Sequence, residues 1–257
     1  MTSDRIVLSD QDLLSLYAKF RDARRSSGEL RPQARYDDFI AHGRYQGSAL
    51  PAPIVAQHHV LDIANAVNRF HYDLHSLEVW RKIIGSITES EKTQALFEFI
   101  FPLASHTLSA PYSVKQKLIS SIYQISYHTN RFIDKSWKES SSEKHVNFLD
   151  AKRVAEHFRS WSSLECILSN LNDQAFVNSS ENYRNRFHHG FPAGIESGDI
   201  ITVEQVAPGS SSYKVRILPP LLLEDVVPLM TAQYDAALQS HIAYIELIKE
   251  QEKHWPK

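Results

Sequence analysis

The segments Ile200-Ile201-Thr202-Val203-Glu204-Gln205-Val206 and Tyr213-Lys214-Val215-Arg216-Ile217-Leu218, on either side of Pro208-Gly209-Ser210, decide the fold. Both are rich in β-branched residues, and the turn residues between them predict a β-hairpin at about 199–218. The rest of the chain keeps a helical period, so the predicted class is mainly α, a helical bundle with one hairpin before its C-terminal helix. Downstream of the hairpin, Val227, Met230, Tyr234, Leu238, Ile242, Ile245 and Ile248 predict a last helix from about Glu224 to Glu252. Upstream, Val154, Phe158, Trp161, Leu164, Leu168 and Leu171 form one helical stripe, with Asp150 as its expected cap. Between that stripe and the hairpin, a short helix is expected, capped by Ser179 or Ser180, closed by Gly190 and barred from continuing by Pro192.

Toward the N-terminus, Ser9 with Asp12 reads as a helix cap, and Leu13, Leu14, Leu16, Tyr17 and Phe20 give that helix an apolar face up to Ser26-Ser27-Gly28. Residues 28–53 hold Pro32, Gly43, Gly47, Pro51 and Pro53 among Tyr36, Phe39 and Tyr45, which predicts an irregular, aromatic-rich arm. A long helix is expected from near Pro53 to Gly85 through Val60, Ile63, Val67, Phe70, Leu74, Leu77 and Trp80. Thr88 and Glu91 form a capping box for a third helix bearing Leu96, Phe97, Ile100 and Leu103, which Pro102 should kink or shorten. A fourth is expected to start by Pro111 and to carry Val114, Leu118, Ile122, Ile125, Phe132 and Ile133 to the Ser140-Ser141-Ser142 break. The whole, residues 1–257, is expected to be one helical domain.

With 257 residues, 42% hydrophobic and 23% charged, the chain can bury a substantial core. The formal net charge of −2 argues against a protein that coats nucleic acid through a whole-surface basic field, while leaving room for a local basic pocket. No unbroken apolar run approaches the roughly 20 residues that span a bilayer, and Met1-Thr2-Ser3-Asp4-Arg5 lacks a signal-like apolar core, so no membrane association is expected and the expected location is cytoplasmic. The single cysteine, Cys166, is expected to pack as a small hydrophobe. Eight glycines and the absence of a phosphate loop, dinucleotide fingerprint, Gly-x-Ser-x-Gly elbow or kinase set leave no expected cofactor.

The residues with most chemical content are Asn182-Tyr183-Arg184-Asn185-Arg186-Phe187-His188-His189-Gly190. Arginine offers a rigid fork of donors to an anionic oxygen, an amide adds a further donor or acceptor, and histidine moves a proton near neutral pH. An arginine followed by a histidine after four to six intervening residues occurs three times here: Arg35 with His42, Arg69 with His75, and Arg184 with His189. The third alone has asparagine directly after the arginine, where Tyr36 and Phe70 stand in the others. Arg184, Asn185 and His189 resemble, position by position, the motif of the HEPN superfamily, helical domains that carry arginine, a polar residue and a spaced histidine.

The resemblance implies a metal-independent endoribonuclease with RNA as substrate. It implies a homodimer in which the motifs of two chains form one composite active site, and a bacterial defence or toxin role with an antitoxin or regulatory protein as partner. Its alternative is a catalytically inactive module that binds RNA, nucleotide or a protein. Where antitoxin-modified members carry a tyrosine two positions after the histidine, this chain has Phe191, which offers no hydroxyl for nucleotidylation. In the implied mechanism His189 handles the proton of the RNA 2′-OH, Arg184 holds phosphoryl charge and Asn185 orients the phosphate or the histidine. Arg186 and His188 are candidates for RNA contact.

Two further groups stand out. His58, Asp62, His71 and His75 share a predicted helix, with His71 and His75 at the i,i+4 spacing that can grip a metal, although no metal site is expected. Tyr123, Gln124, Tyr127, His128, Asn130 and Arg131 place polar groups on an otherwise apolar helix. The plain reading is an internal hydrogen-bond network, and the functional one has His128 or Arg131 lining the pocket of Arg184.

Overall fold

The computed structural model describes residues 9–28, 31–36, 51–137, 146–207, 209 and 211–256. Most of the expected arm, with Phe39 and Tyr45, lies outside the described residues, as do the Ser140-Ser141-Ser142 break, Pro208 and Ser210. The helices are α1 (Asp10–Arg25), α2 (Pro51–Ile84), α3 (Glu89–Ala95), α4 (Phe101–Ile133), α5 (Phe148–Ala155), α6 (Trp161–Asn170), α7 (Gln174–Ser179), α8 (Tyr183–His189) and α9 (Leu223–Glu252). A π-helical turn, Leu96–Ile100, joins α3 to α4. Strands β1 (Ile200–Gln205) and β2 (Tyr213–Leu218) pair antiparallel, with Ile200 opposite Leu218 and Gln205 opposite Tyr213. The fold is thus mainly α, with one hairpin immediately before the C-terminal helix. The chain divides into two compact units, one of Met1–Arg31, Tyr72–Ser109 and Gln174–Ala232, the other of Pro32–His71, Ala110–Asp173 and Gln233–Lys257.

The first unit is centred on aromatic rings supplied by helical faces. Phe20 of α1 stacks on Trp80 of α2 at 4.8 Å, and Trp80 stacks on Phe99 of the π turn at 5.4 Å. Leu16, Leu74, Leu77 and Ile100 are fully buried in the same unit. Both expected N-caps are present: Ser9 and Asp12 close a capping box on α1, Thr88 and Glu91 another on α3. The hydrogen bond from Lys19 and those from Thr88 hold the Glu91 carboxyl at about 2, so this cap stays charged through ordinary acid conditions.

The second unit is tied together by polar contacts from α9 and from the residues just after it. The Gln251 side chain donates to Ser126 Oγ (2.7 Å), and Trp255 Nε1 donates to Thr129 Oγ1 (2.9 Å). Ser160, the N-cap of α6, makes no side-chain cap bond. The Glu250 carboxylate instead accepts the backbone N–H groups of Arg159 (2.9 Å) and Ser160 (2.8 Å), capping α6 from another helix. Lys115 donates to the carbonyl of Leu171 just past the other end of α6.

Several local expectations are corrected. Pro111 lies inside α4, which begins ten residues earlier at Phe101. Ala104, Leu108, Ala110 and Val114 are all buried, and this burial outweighs the roughly 3 kcal/mol that an internal proline costs. At Pro102, expected to kink or shorten the third helix, the helical path continues into α4, and the turn before it widens to a π turn, with the Phe101 N–H donating to the Leu96 carbonyl. The stripe from Val154 to Leu171 is buried throughout, but it is carried by two helices, α5 and α6, with the residues between them in turns. Asn147, not Asp150, caps α5; Asp150 is its capping-box partner. Cys166 is exposed, because on α6 it falls between the buried positions Leu164 and Leu168 on the outward face.

Candidate functional site

The Arg184 segment is held by a tight corner between α7 and α8, all within the first unit. Glu181 and Asn182 both adopt left-handed backbone, each with φ of 52°. For a residue such as glutamate this costs on the order of 1 kcal/mol, while asparagine tolerates it better. Backbone bonds lock the corner: Ser180 N–H donates to the Phe176 carbonyl (2.9 Å), Asn182 N–H to that of Val177 (2.7 Å) and Tyr183 N–H to that of Ser180 (2.9 Å). The N-cap of α8 is therefore Asn182, with no side-chain cap bond, and neither Ser179 nor Ser180 serves as expected. Glu181 pairs with Arg216 of β2 at 2.5 Å, which links the corner to the hairpin.

Tyr183 sets the rotation of α8. Its side chain is fully buried, and its hydroxyl lies 2.8 Å from Ser105 Oγ of α4. Burial pushes the Tyr183 phenol upward, only partly countered by that bond, so it remains neutral. With about 100° per residue, Phe187 falls about 40° from Tyr183 and stacks on it at 6.0 Å between ring centres. The same rotation sends Asn185 and His189 to the outer face together, one turn apart, and both are exposed. Arg184 and His188 share a flank, the arginine half-buried and the histidine exposed. Arg186 occupies the opposite flank, half-buried, with its Nε against the protein.

Two pairs thus emerge from the predicted site, Asn185 with His189 and Arg184 with His188. Within one helix Arg184 and His189 point about 140° apart, so one copy of α8 does not aim both at a single atom. The helix ends at Gly190, whose N–H donates to the Arg186 carbonyl (2.8 Å). Gly194 then permits a turn that a side chain would block, since an added Cβ would meet the Ser197 carbonyl oxygen at 2.2 Å.

The remaining candidates belong elsewhere. His128 and Arg131 are exposed on the part of α4 that lies in the second unit. Partial burial, then the charge of Arg131, depresses the His128 pKa. Of the polar cluster around them, Asn130 is buried and donates to the Val154 carbonyl, whereas Gln124 faces solvent. His71 lies 3.2 Å from Gln33, while His75 faces Ser27 at 3.1 Å and Glu78 at 3.6 Å, so the i,i+4 pair turns to different partners. Among the described residues no three His, Cys, Asp or Glu side chains gather as a metal site.

Sequence reasoning missed one open pocket to which several polar residues contribute. In the second unit a space of about 260 Å³ is lined by His59, Asp62, Lys117, Ser120 and Ser121, among others. His59 Nδ1 lies 2.8 Å from Ser121 Oγ, which also hydrogen-bonds the buried Tyr244 hydroxyl; Asp62 pairs with Lys117. Burial, then the neighbouring His58, holds His59 below its ordinary pKa. Asp62 and Lys117 are 55 residues apart in sequence, and no local spacing announces such a pair. No family model, curated protein or solved structure matches this chain, so the functional reading rests on the chemistry of its own residues.

Proposed function

We propose that the protein is a metal-independent endoribonuclease of HEPN type in which two copies contribute to one active site. The observation that carries this reading is the outward presentation of Asn185 and His189 on a helix whose inner side is pinned by Tyr183. An imidazole and an amide on a solvent-facing surface suit a polymer that approaches from outside, and the half-buried Arg184 on the adjoining flank suits a phosphate. The 140° between Arg184 and His189 favours a composite site, since a second copy supplies what one helix cannot aim.

In the proposed reaction His189 of one copy takes the proton of an RNA 2′-OH as that oxygen attacks the adjacent phosphorus. The bond from phosphorus to the 5′ oxygen breaks, and His189 of the second copy donates the proton that the leaving oxygen needs. Arg184 neutralises charge that grows on the non-bridging oxygens, while Asn185 orients the phosphate. The products are a 2′,3′-cyclic phosphate and a 5′-hydroxyl, and DNA, lacking the attacking hydroxyl, is not cleaved.

The test is cleavage of end-labelled structured RNA in EDTA by wild type and by His189→Ala, with matching circular dichroism. Cleavage confined to wild type, with cyclic-phosphate ends, supports the reading. Equal cleavage by both, or RNA binding without cleavage by wild type, overturns it, the latter in favour of a binding module.

A further inference from the structure

The β1–β2 hairpin carries an unusual distribution of side chains. In the observed register Ile201 faces Ile217, Val203 faces Val215 and Gln205 faces Tyr213, and alternate residues of a strand share a face. One face of the ribbon is therefore Ile201, Val203, Tyr213, Val215 and Ile217, with Gln205 its only polar member. These five are between 60% and 69% exposed. The other face turns toward the body of its own unit, where Leu218 is fully buried and Arg216 reaches Glu181.

The usual alternation of strands, apolar inward and polar outward, is thus inverted over most of this hairpin. A two-stranded ribbon is marginal unless something packs on it. The outer face presents roughly 600 Å² of mostly aliphatic surface, at the upper limit of what ordinary monomers expose. We propose that this face is the surface through which two copies of the chain associate, ribbon against ribbon about a two-fold axis.

Area and charge both select a second copy as the occupant. Two such faces together bury on the order of 1,200 Å², the lower bound of a specific interface, and flat sheet faces pack well at about 10 Å. In a two-fold contact residue i meets residue j twice over, and a residue near the axis meets its own mate, so a charge there would face its like and any other charge would be buried without a partner. The face has no charge; Lys214 and Arg216 belong to the opposite side. A lipid-binding hairpin would instead ring its apolar side chains with cations. The composite site of the catalytic reading also needs two copies, but none of the five residues belongs to the Arg184 motif, so the face can be altered without touching the side chains proposed to act on RNA.

The test is sedimentation of the full chain over a wide concentration range, for wild type, Val203→Lys/Val215→Lys and the milder Val203→Ser/Val215→Ser, with circular dichroism to verify folding. Wild type is expected to be a dimer, the lysine pair to weaken it at least about a hundredfold, and the serine pair to fall between them. Lys214→Glu, on the other face, should leave the dimer unchanged. A monomeric wild type overturns the proposal, as does a dimer whose affinity neither pair alters. A monomeric wild type that co-sediments with phosphatidylcholine and phosphatidylglycerol vesicles overturns it in favour of lipid. His189→Ala should dimerise normally while losing cleavage. A dimer that the lysine pair dissociates but that never cleaves RNA fails the catalytic reading alone, whereas RNA cleavage by a dimer that the lysine pair leaves intact fails this one alone.

Discussion

His189 and His59 sit in opposite surroundings, and the contrast shows what makes a histidine available for chemistry. His189 stands exposed at the end of a seven-residue helix, on the side away from the Tyr183 anchor. His59 faces an open pocket between helices, against a serine that also binds a buried tyrosine, and it is held below its ordinary pKa by burial. The first arrangement leaves the ring free to meet a polymer. The second engages the ring with its own protein, where it contributes to stability. Residue type is the same in both; orientation and neighbours separate the roles.

The sharpest way to break this comparison is His189→Ala, expected to lower RNA cleavage by about a thousandfold at unchanged thermal stability, as general acid–base groups do. A fold that melts early in this variant would mean that His189 is structural after all. Ser121→Ala should do the opposite. It leaves the fully buried Tyr244 hydroxyl without its partner, so chemical denaturation should show a loss of about 1–3 kcal/mol with cleavage per folded molecule unchanged.

Tyr183→Phe probes the anchor between the two extremes. Loss of the Ser105 bond should cost about 1 kcal/mol, and cleavage should fall severalfold because α8 is less firmly oriented. Restored cleavage is not expected from Tyr183→Leu, which would lose the Phe187 stack as well.

The smallest expected effect is in pH dependence. His59 has a folded-state pKa below its ordinary value of 6.5, so the unfolded chain binds its proton more readily. Its contribution to stability is complete above 6.5 and is lost as pH falls through and below that value. His59→Asn, which keeps a hydrogen-bonding group near Ser121, should therefore show a flatter decline of stability on acidification than wild type. An identical slope in both proteins would mean that His59 does not titrate on unfolding.

Most of the fold was legible because helical and strand periods are local. The hairpin, the last helix and both N-terminal capping boxes follow from residues within a few positions of one another. The misreadings have a common origin. Pro111 looked like a helix start, but buried neighbours on both sides of it keep α4 continuous. The stripe from Val154 to Leu171 looked like one helix, but Glu250, from a helix 90 residues away, caps a new start at Ser160. The residues of the Arg184 segment were readable as a group of phosphate-handling types. Their pairing was not, because it depends on which side of α8 turns inward, and Ser105 decides that from another helix.

By itself the sequence determined the element types, their order and the residue types available on α8, since period, caps and turn residues act over short range. Tertiary structure decided which side chains share a face and which are spent internally. It turned Tyr183 inward and His189 outward, joined His59 to Ser121 and Tyr244, and left the aliphatic face of the hairpin uncovered. These outcomes depend on contacts between residues tens to more than a hundred positions apart, and no local pattern encodes the partner at the other end.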